Sequence, residues 1–307
     1  MTRLRADFLL LLTAFIWGTA FLAQKLGNRA LAPAVFVGIR FVLSAAALVP
    51  LALWEARRRQ WVWPGRRDLG LAVLAGLCLF AGAILQQTGL ADTSVANGGF
   101  LTSLYVLVVP FFVWLGGGGR PRPMVLAACL CSVAGAWMLT SGGVAQRMTR
   151  GDAIVLAADF AWAGMIVLVP VFLRRTGRPF LLCAVQHLVT AVLGLAWGLL
   201  TAPWSWNAVP TAAPALLYAG LLSGGLAFTL QVVAQGHAPA VEAALILSLE
   251  NVFAAVAGAV WLDERLSWLA IGGGGLILAG VLLPDLGAAA WRRLAGGNDP
   301  AGAAGPP

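Results

Sequence analysis

The chain has 307 residues, of which 60% are hydrophobic and 10% are charged, with a mean hydropathy of +0.87 and a formal net charge of +8. Soluble domains are about 45–50% apolar and about 25% charged, so this composition excludes an ordinary soluble domain. The arginines are scattered between apolar runs, which indicates membrane topology and excludes nucleic acid as the expected partner. The four cysteines lie inside apolar runs, so neither a zinc site nor a secreted disulfide framework is expected: Cys78, Cys129, Cys131 and Cys183.

Ten apolar stretches follow one another along the chain, and each is long enough to cross a bilayer core of about 30 Å as a helix. Helices are expected because open strands would leave backbone groups unsatisfied in lipid. The sequence therefore predicts an all-α integral membrane protein with ten transmembrane helices. The predicted spans are residues 8–25, 33–54, 69–88, 94–116, 123–141, 153–173, 179–201, 211–234, 240–262 and 267–286.

The first stretch also has features of a cleavable signal peptide. Arg3 and Arg5 precede it, and Ala30-Leu31-Ala32 resembles a cleavage site. The stretch is echoed in the second half of the chain, and Lys25 would be an unusual residue before a cleavage site. We therefore interpret it as a retained span.

The basic residues predict the orientation of the chain in the cytoplasmic membrane. With the amino terminus inside, 14 arginines fall on the inner side and five basic residues on the outer side, so both termini are predicted to be cytoplasmic. The tail at 291–307 is rich in Gly, Ala and Pro and is expected to be disordered. The inner set is Arg3, Arg5, Arg57, Arg58, Arg59, Arg66, Arg67, Arg120, Arg122, Arg174, Arg175, Arg178, Arg292 and Arg293, and the outer set is Lys25, Arg29, Arg147, Arg150 and Arg265.

An internal repeat appears at a shift of 145 residues. This shift aligns Arg5 and Asp7 with Arg150 and Asp152, Trp17 with Trp162, Gln86 with Gln231, Ser103-Leu104 with Ser248-Leu249, and Ala134-Gly135 with Ala279-Gly280. It predicts one five-helix unit at 1–145 and a second at 146–290. Because five is odd, the second unit must enter the membrane in the opposite orientation, an arrangement typical of secondary transporters.

Several motifs give the chain a resemblance to the EamA family of the drug/metabolite transporter superfamily. They are Ile16-Trp17-Gly18, Gly38-Ile39-Arg40-Phe41, Gly99-Phe100-Leu101-Thr102-Ser103-Leu104-Tyr105, Leu247-Ser248-Leu249-Glu250-Asn251-Val252-Phe253-Ala254-Ala255, Asp263-Glu264-Arg265-Leu266, and Leu276-Ile277-Leu278-Ala279-Gly280-Val281. The resemblance covers about residues 5–285. It implies a ten-helix secondary transporter of the cytoplasmic membrane, often an exporter of amino acids or other small metabolites.

The chain departs from the family pattern in two places. Asn251 stands where many relatives have proline, which puts a helix break at that position in question. The fourth span ends in Gly116–Arg120, whereas its counterpart in the second repeat ends at the acidic Glu264.

Charged groups inside a span are costly and are therefore functional candidates. Glu250, near the middle of the ninth span, is the main candidate, as a proton-coupling site or a partner for an amino group; the alternative is a structural ion pair or helix-packing hydrogen bond. Arg40 either binds a substrate carboxylate, snorkels to the outer interface or pairs with a carboxylate. Asp159 and His187 are further candidates, with helix packing as the alternative role. Glu242, three residues after Pro239, is expected to be solvated near the cytoplasmic face.

Polar and aromatic residues within the spans indicate the chemistry of the substrate. A cavity lined by aromatic faces and amides suits an amphipathic organic solute better than a bare ion. The alternative for the tryptophans is a lipid-facing or packing role, and the alternative for the glutamines is an interhelical hydrogen bond. The predicted site residues of this kind are Trp17, Trp162, Gln86, Gln231, Tyr105 and Asn97, and Gln24, Gln87, Thr102 and Asn251 also fall within spans.

The sequence thus predicts a secondary transporter that moves a small organic solute, such as an amino acid or a drug-like molecule, by alternating access, with efflux as the expected direction. A proton is the expected coupling partner, membrane lipids surround the chain, and the oligomeric state is left open. No nucleotide-binding loop or metal-ligand cluster is present in the sequence, and no cofactor is expected. The alternatives are an integral membrane enzyme acting on a lipid substrate and a passive channel.

Overall fold

The computed structural model describes residues 1–141, 148–202, 206–261 and 267–294, and every regular segment in these ranges is helical. The all-α prediction is confirmed. Nine helical spans of the described residues are long and apolar enough to cross a membrane, and a shorter apolar stretch at Trp268–Pro284 adds the tenth. The α-helices are α1 (Arg3–Ala30), α2 (Pro33–Arg58), α3 (Arg66–Asp92), α4 (Val95–Thr102), α5 (Tyr105–Leu115), α6 (Pro123–Ser141), α7 (Arg150–Thr176), α8 (Pro179–Thr201), α9 (Val209–Leu217), α10 (Phe228–Gln235), α11 (Ala240–Leu247), α12 (Glu250–Trp261) and α13 (Trp268–Leu294).

Some predicted features lie outside the described residues. These are the boundary between the repeats at 145/146, the outer basic residues Arg147 and Arg265, and most of the predicted tail, from 295 to 307.

The fourth and ninth spans are each interrupted near their middle by a two-residue turn. The first turn is Ser103-Leu104, between α4 and α5, and the second is Ser248-Leu249, between α11 and α12. In both turns the serine hydroxyl donates to the carbonyl three residues earlier, at 2.7 Å. The helix break in the second repeat is thus present without a proline at Asn251. The two turns are separated by 145 residues, the shift that relates the repeats.

The eighth span contains a π-helical segment, Tyr218–Ala227, between α9 and α10. A π-helix is wider than an α-helix and is uncommon outside functional sites. Four of its carbonyl oxygens accept hydrogen bonds from side chains of other spans. These are the carbonyls of Gly220, Ser223, Gly224 and Ala227, which face Ser44, Trp17, His187 and Thr13, respectively.

The two repeats pack against each other along equivalent helices. The helix α2 packs on α8, its equivalent in the second repeat, and α6 packs on α13 in the same way. Small residues permit the close approach of α6 and α13, because a Cβ at Gly135 would lie 2.5 Å from the carbonyl oxygen of Gly273. Other large interfaces also join the two repeats, but they pair helices that are not equivalent: α3 packs on α7, and α1 packs on α9 and α10. The chain is therefore a two-repeat bundle, with the second repeat inverted because each contains five spans.

Polar contacts join the span ends in two separate groups. At the end that we call the basic end, Arg3 forms ion pairs with Asp7 and Glu242, and Arg175 Nε lies 2.5 Å from Asp68 Oδ1. Glu242, which was expected to be solvated, keeps 29% of its side chain exposed and also pairs with Arg3, because the start of α1 lies beside the start of α11. At the opposite end, Thr93 Oγ1 lies 2.5 Å from Asp152 Oδ1.

Candidate functional site

A cavity lies at the centre of the bundle, where residues of both repeats face one another. Its boundaries enclose about 490 Å³ of space not filled by protein atoms. Six of the ten predicted site residues line it: Trp17, Arg40, Gln86, Tyr105, Trp162 and Glu250. The other lining residues are Phe21, Gln24, Thr102, Met165, Ile166, Ser223 and Phe228.

Aromatic side chains form one wall of the cavity. The rings of Trp17 and Phe228 have centroids 4.7 Å apart, and Trp162 stacks on Phe228 at 6.2 Å. The indole N–H of Trp17 donates to the carbonyl oxygen of Ser223, whereas that of Trp162 has no hydrogen-bond partner among the described residues. This wall can therefore cover an apolar group, and one indole N–H remains available to a polar group.

Glu250 and Tyr105 occupy equivalent positions in the two repeats, separated by 145 residues. Each is the first residue of the half-helix that follows a break, α12 for Glu250 and α5 for Tyr105. Both side chains are nearly inaccessible to solvent, with exposures of 3%, and both line the cavity. Among the described residues, the Glu250 Oε1 atom and the Tyr105 hydroxyl make no hydrogen bond of ordinary geometry, although the two side chains are close enough to interact with each other. The described residues place no basic side chain within 4.0 Å of the Glu250 carboxylate. The helix breaks thus place a carboxyl group without a basic partner in the interior of the bundle.

Asp159 lies beside these residues but does not line the cavity. Its carboxylate lies near the start of α5 and is close enough to Glu250 for their charges to interact. Its Oδ1 atom has no hydrogen-bond partner among the described residues.

Arg40 is buried, with 5% exposure, and lines the cavity from α2. Its guanidinium lies over the ring of Phe41 at 4.9 Å and near that of Phe36 at 5.8 Å. Among the described residues, its Nε has no hydrogen-bond partner and no carboxylate forms an ion pair with it. The guanidinium therefore faces the cavity without a protein anion beside it, an arrangement that leaves room for the predicted role of binding a substrate carboxylate.

His187 is fully buried behind the cavity wall. Its Nδ1 lies 2.7 Å from the carbonyl oxygen of Cys183 and its Nε2 lies 2.9 Å from that of Gly224 in the π-helical segment. The ring packs against Phe41 and Phe228. His187 therefore joins α8 to the π-helical segment, which in turn positions Ser223 in the cavity wall.

The remaining predicted residues have different surroundings. Gln231 is fully buried outside the cavity lining, and its amide has no partner in the part of the chain that the structure describes. Its repeat equivalent, Gln86, does line the cavity. Asn97 is remote from the lining and donates from Nδ2 to Asp152 Oδ1 at 2.6 Å, at the opposite end of the bundle.

Sequence reasoning did not single out five of the lining residues as site residues: Phe21, Ile166, Met165, Ser223 and Phe228. A signal for two of them was present, because Phe21 and Ile166 each lie four residues after a predicted tryptophan and are separated by 145 residues. Residues four apart share a helix face. No comparable signal marked Ser223 or Phe228, because the π-helical segment changes which side chains of that span point toward the cavity.

The described residues contain no group of three or more His, Cys, Asp or Glu side chains that could hold a metal ion. The groups that converge on the cavity are one guanidinium, one carboxyl, a phenol, amides and indoles. This set suits reversible binding of an organic solute.

Ten spans in two inverted repeats around a central cavity are the architecture of a secondary transporter. The chain belongs to the EamA-like transporter family, whose model matches it twice, over residues 4–141 and residues 149–284. A solved structure with 21% sequence identity superimposes with a TM-score of 0.77, covering 95% of this chain and 99% of that chain, which supports the fold.

Relatives are found in bacteria and archaea. The chain is 29% identical over 284 residues to the "Uncharacterized transporter YwfM" of Bacillus subtilis, covering 89% of this chain and 91% of the relative. It is 26% identical over 284 residues to an "Uncharacterized transporter" of Archaeoglobus fulgidus, covering 92% and 87%. It is also 27% identical over 291 residues to a "Probable terminal-alkyne amino-acid exporter" of Streptantibioticus cattleyicolor, covering 91% and 93%. These relatives, with the family, indicate a transporter and not an enzyme.

Proposed function

We propose that this protein is a secondary transporter that exports a small zwitterionic metabolite, such as an amino acid, across the cytoplasmic membrane by alternating access. The observation that carries this proposal is the pair of unpaired buried charges in one cavity. Arg40 is a cation with no carboxylate partner among the described residues, and Glu250 is a carboxyl group with no basic partner among them.

A zwitterion would satisfy both groups at once. Its carboxylate would bind the planar guanidinium of Arg40, which favours bidentate contacts. Its ammonium group would bind Glu250, and its side chain would contact Trp17, Trp162 and Phe228. Burying an unpaired charge is costly, so the occupied cavity is more stable than the empty one.

Glu250 also provides a route to energy coupling. A proton and a substrate ammonium group compete for the same carboxylate, so the site binds one or the other. Such competition would couple export of the solute to entry of a proton. This is the simplest exchange that one carboxyl group in the cavity supports.

The proposed direction follows from the relatives and from topology. One relative is named as an amino-acid exporter, and the basic residues favour a cytoplasmic basic end under the positive-inside rule. In this proposal both termini are cytoplasmic, and the units at 1–145 and 146–290 move relative to each other during transport.

The test uses purified protein in proteoliposomes and two matched sets of solutes. Single amino acids are compared with their decarboxylated amines and with their deaminated acids, by counterflow of radiolabelled solute. We expect counterflow for some of the intact zwitterions and little for either analogue. Equal transport of a zwitterion and both analogues would refute recognition of the two charges.

The same preparation separates the alternative functions. Accumulation against a concentration gradient when a proton gradient is imposed would exclude a passive channel. Conversion of a phospholipid without movement of solute would favour a membrane enzyme and would contradict the proposal.

A further inference from the structure

Lys25, the single lysine of the chain, makes an unusual set of contacts at the end opposite the basic end. Its Nζ donates to the carbonyl oxygens of Leu90 at 2.6 Å, Ala91 at 3.2 Å and Thr93 at 2.7 Å. All three donors of the ammonium group are thus used by backbone acceptors. They connect α1 to the corner between α3 and α4.

The position of these carbonyls explains why a cation binds there. Leu90 and Ala91 lie in the last turn of α3, and Thr93 is the residue that follows the helix. The last carbonyls of a helix have no internal donors, and they carry the negative end of the helix dipole. Lys25 supplies both the missing donors and the complementary charge.

The equivalent position at the basic end has no such contact. The shift of 145 residues aligns Lys25 with Pro170 and the three carbonyls with those of Gln235, Gly236 and Ala238. Pro170 has no N–H for the carbonyl of Ile166, and Gln235 Nε2 donates to that carbonyl at 3.1 Å. One neutral hydrogen bond thus joins α7 to α10 where three charge-assisted ones join α1 to α3.

Beyond this bond, an open vestibule lies between part of α7 and the corner between α10 and α11. Including the part open to solvent, it encloses about 1650 Å³, and its lining includes Val167, Pro170 and Arg174 on one side and Val233, Gly236 and Ala238 on the other. Ile166 lines the central cavity, so the vestibule begins within one helical turn of the cavity. The two ends of the bundle therefore differ: three hydrogen bonds from Lys25 hold one corner against α1, whereas the corner at the basic end borders the vestibule and meets α7 mainly where Leu173 lies beside Gly236.

We propose that Lys25 is a positioning residue that holds the α3–α4 corner against α1 and so keeps the cavity closed at this end, and that its release accompanies opening there. The proposal rests on the alternating-access function proposed above. Its test needs no known solute, so either proposal can fail without the other.

The test measures access to the cavity from outside intact bacterial cells. In a background with the four cysteines replaced by alanine, Thr102, which lines the cavity, is replaced by cysteine as a reporter. A membrane-impermeant maleimide is then added outside. We expect little labelling with Lys25 present. With Lys25→Met we expect roughly a fivefold or greater increase, because losing charge-assisted hydrogen bonds shifts a two-state equilibrium by at least that factor.

Arg29 provides the matched controls, because it is an exposed cation one turn further along the same helix. Arg29→Met removes the same charge, and we expect it to leave reporter labelling unchanged. Arg29→Cys must itself be labelled from outside, which verifies the sidedness of the assay. Lys25→Arg retains a cation with several donors, and we expect labelling close to that of the parent. Strong labelling of the parent reporter, or equal labelling in the Lys25→Met variant, would overturn the proposal.

A second measurement avoids any effect of the substitution on folding. Because Lys25 is the single lysine, an amine-reactive acyl ester modifies only this side chain and the amino terminus of the folded protein. We expect acylation at Lys25 to raise maleimide labelling of the Thr102→Cys reporter. The same treatment should have no effect in the Lys25→Arg variant. Acylated protein with an unchanged reporter would contradict the role of the ammonium group.

Discussion

The two halves of the cavity wall are alike in their apolar residues and different in their charges. Trp17 and Phe21 in the first repeat correspond to Trp162 and Ile166 in the second, and all four line the cavity. By contrast, Arg40 corresponds to Val185, and Glu250 corresponds to Tyr105. The duplicated fold thus provides a symmetric apolar enclosure, while a single cation and a single carboxyl group give it polarity. The zwitterion proposed above would bind such a cavity in one orientation, because only one orientation pairs both charges.

The largest expected effect is at the charged residue of the second repeat. Glu250→Gln removes the charge and keeps the size, so we expect transport of a zwitterion to fall by about 100-fold. Uptake into proteoliposomes measures this effect. Glu242→Gln is the matched control on the same span, because Glu242 is ion-paired at the basic end, and we expect it to retain transport. Equal activity of the two variants would contradict the role of Glu250.

A smaller effect is expected at the charged residue of the first repeat. Arg40→Lys keeps the cation but loses the planar fork that binds a carboxylate, so we expect KM to rise about tenfold for zwitterions. Uptake of the same zwitterion into proteoliposomes containing either protein gives the two KM values, and an unchanged KM would contradict the role of the guanidinium.

The symmetric tryptophans can be distinguished by their indole N–H groups. Trp17→Phe removes a hydrogen bond to Ser223, so we expect a loss of stability of about 1 kcal/mol, visible as a lower Tm. Trp162→Phe removes an N–H that has no partner among the described residues, so we expect a smaller loss than for Trp17→Phe, because both variants lose the same ring volume. Thermal unfolding of the purified variants in detergent tests this difference. A larger loss for Trp162→Phe would mean that its N–H is bonded within the protein.

A substitution at the interface between the repeats is expected to lower stability by an amount comparable to that of Trp17→Phe, through a single methyl group. A Cβ at Gly135 would meet the backbone oxygen of Gly273, whereas a Cβ at Gly274 would meet no atom within 4 Å. We expect Gly135→Ala to cost about 1 kcal/mol or more through overpacking, and Gly274→Ala to be neutral or stabilising. Both are measured by Tm, and equal values would show that α6 can move away from α13 without cost.

Much of the fold follows from the sequence, since apolar runs of about 20 residues have few alternatives to membrane-spanning helices. The breaks in the fourth and ninth spans were not predicted, although Ser103-Leu104 and Ser248-Leu249 were aligned by the repeat. Neither turn contains a proline or a glycine, and the residues around it are mainly apolar. A hydropathy profile therefore shows each span as continuous. The π-helical segment was likewise not predicted, because its stability depends on hydrogen bonds from side chains of other spans, those of Thr13, Trp17, Ser44 and His187.

By itself, the amino-acid sequence determined the membrane location, the ten spans, the duplication and six of the residues that line the cavity. These properties depend on local composition and on one constant offset, both of which can be read along the chain. The tertiary structure decided that Arg40 lies in the cavity without an ion-pair partner among the described residues, that Asn97 and Gln231 lie outside its lining, and that Lys25 meets the carbonyls at the end of α3. Each of these depends on which residues of distant spans meet, and the facing of a helix in the bundle is fixed by packing against its neighbours.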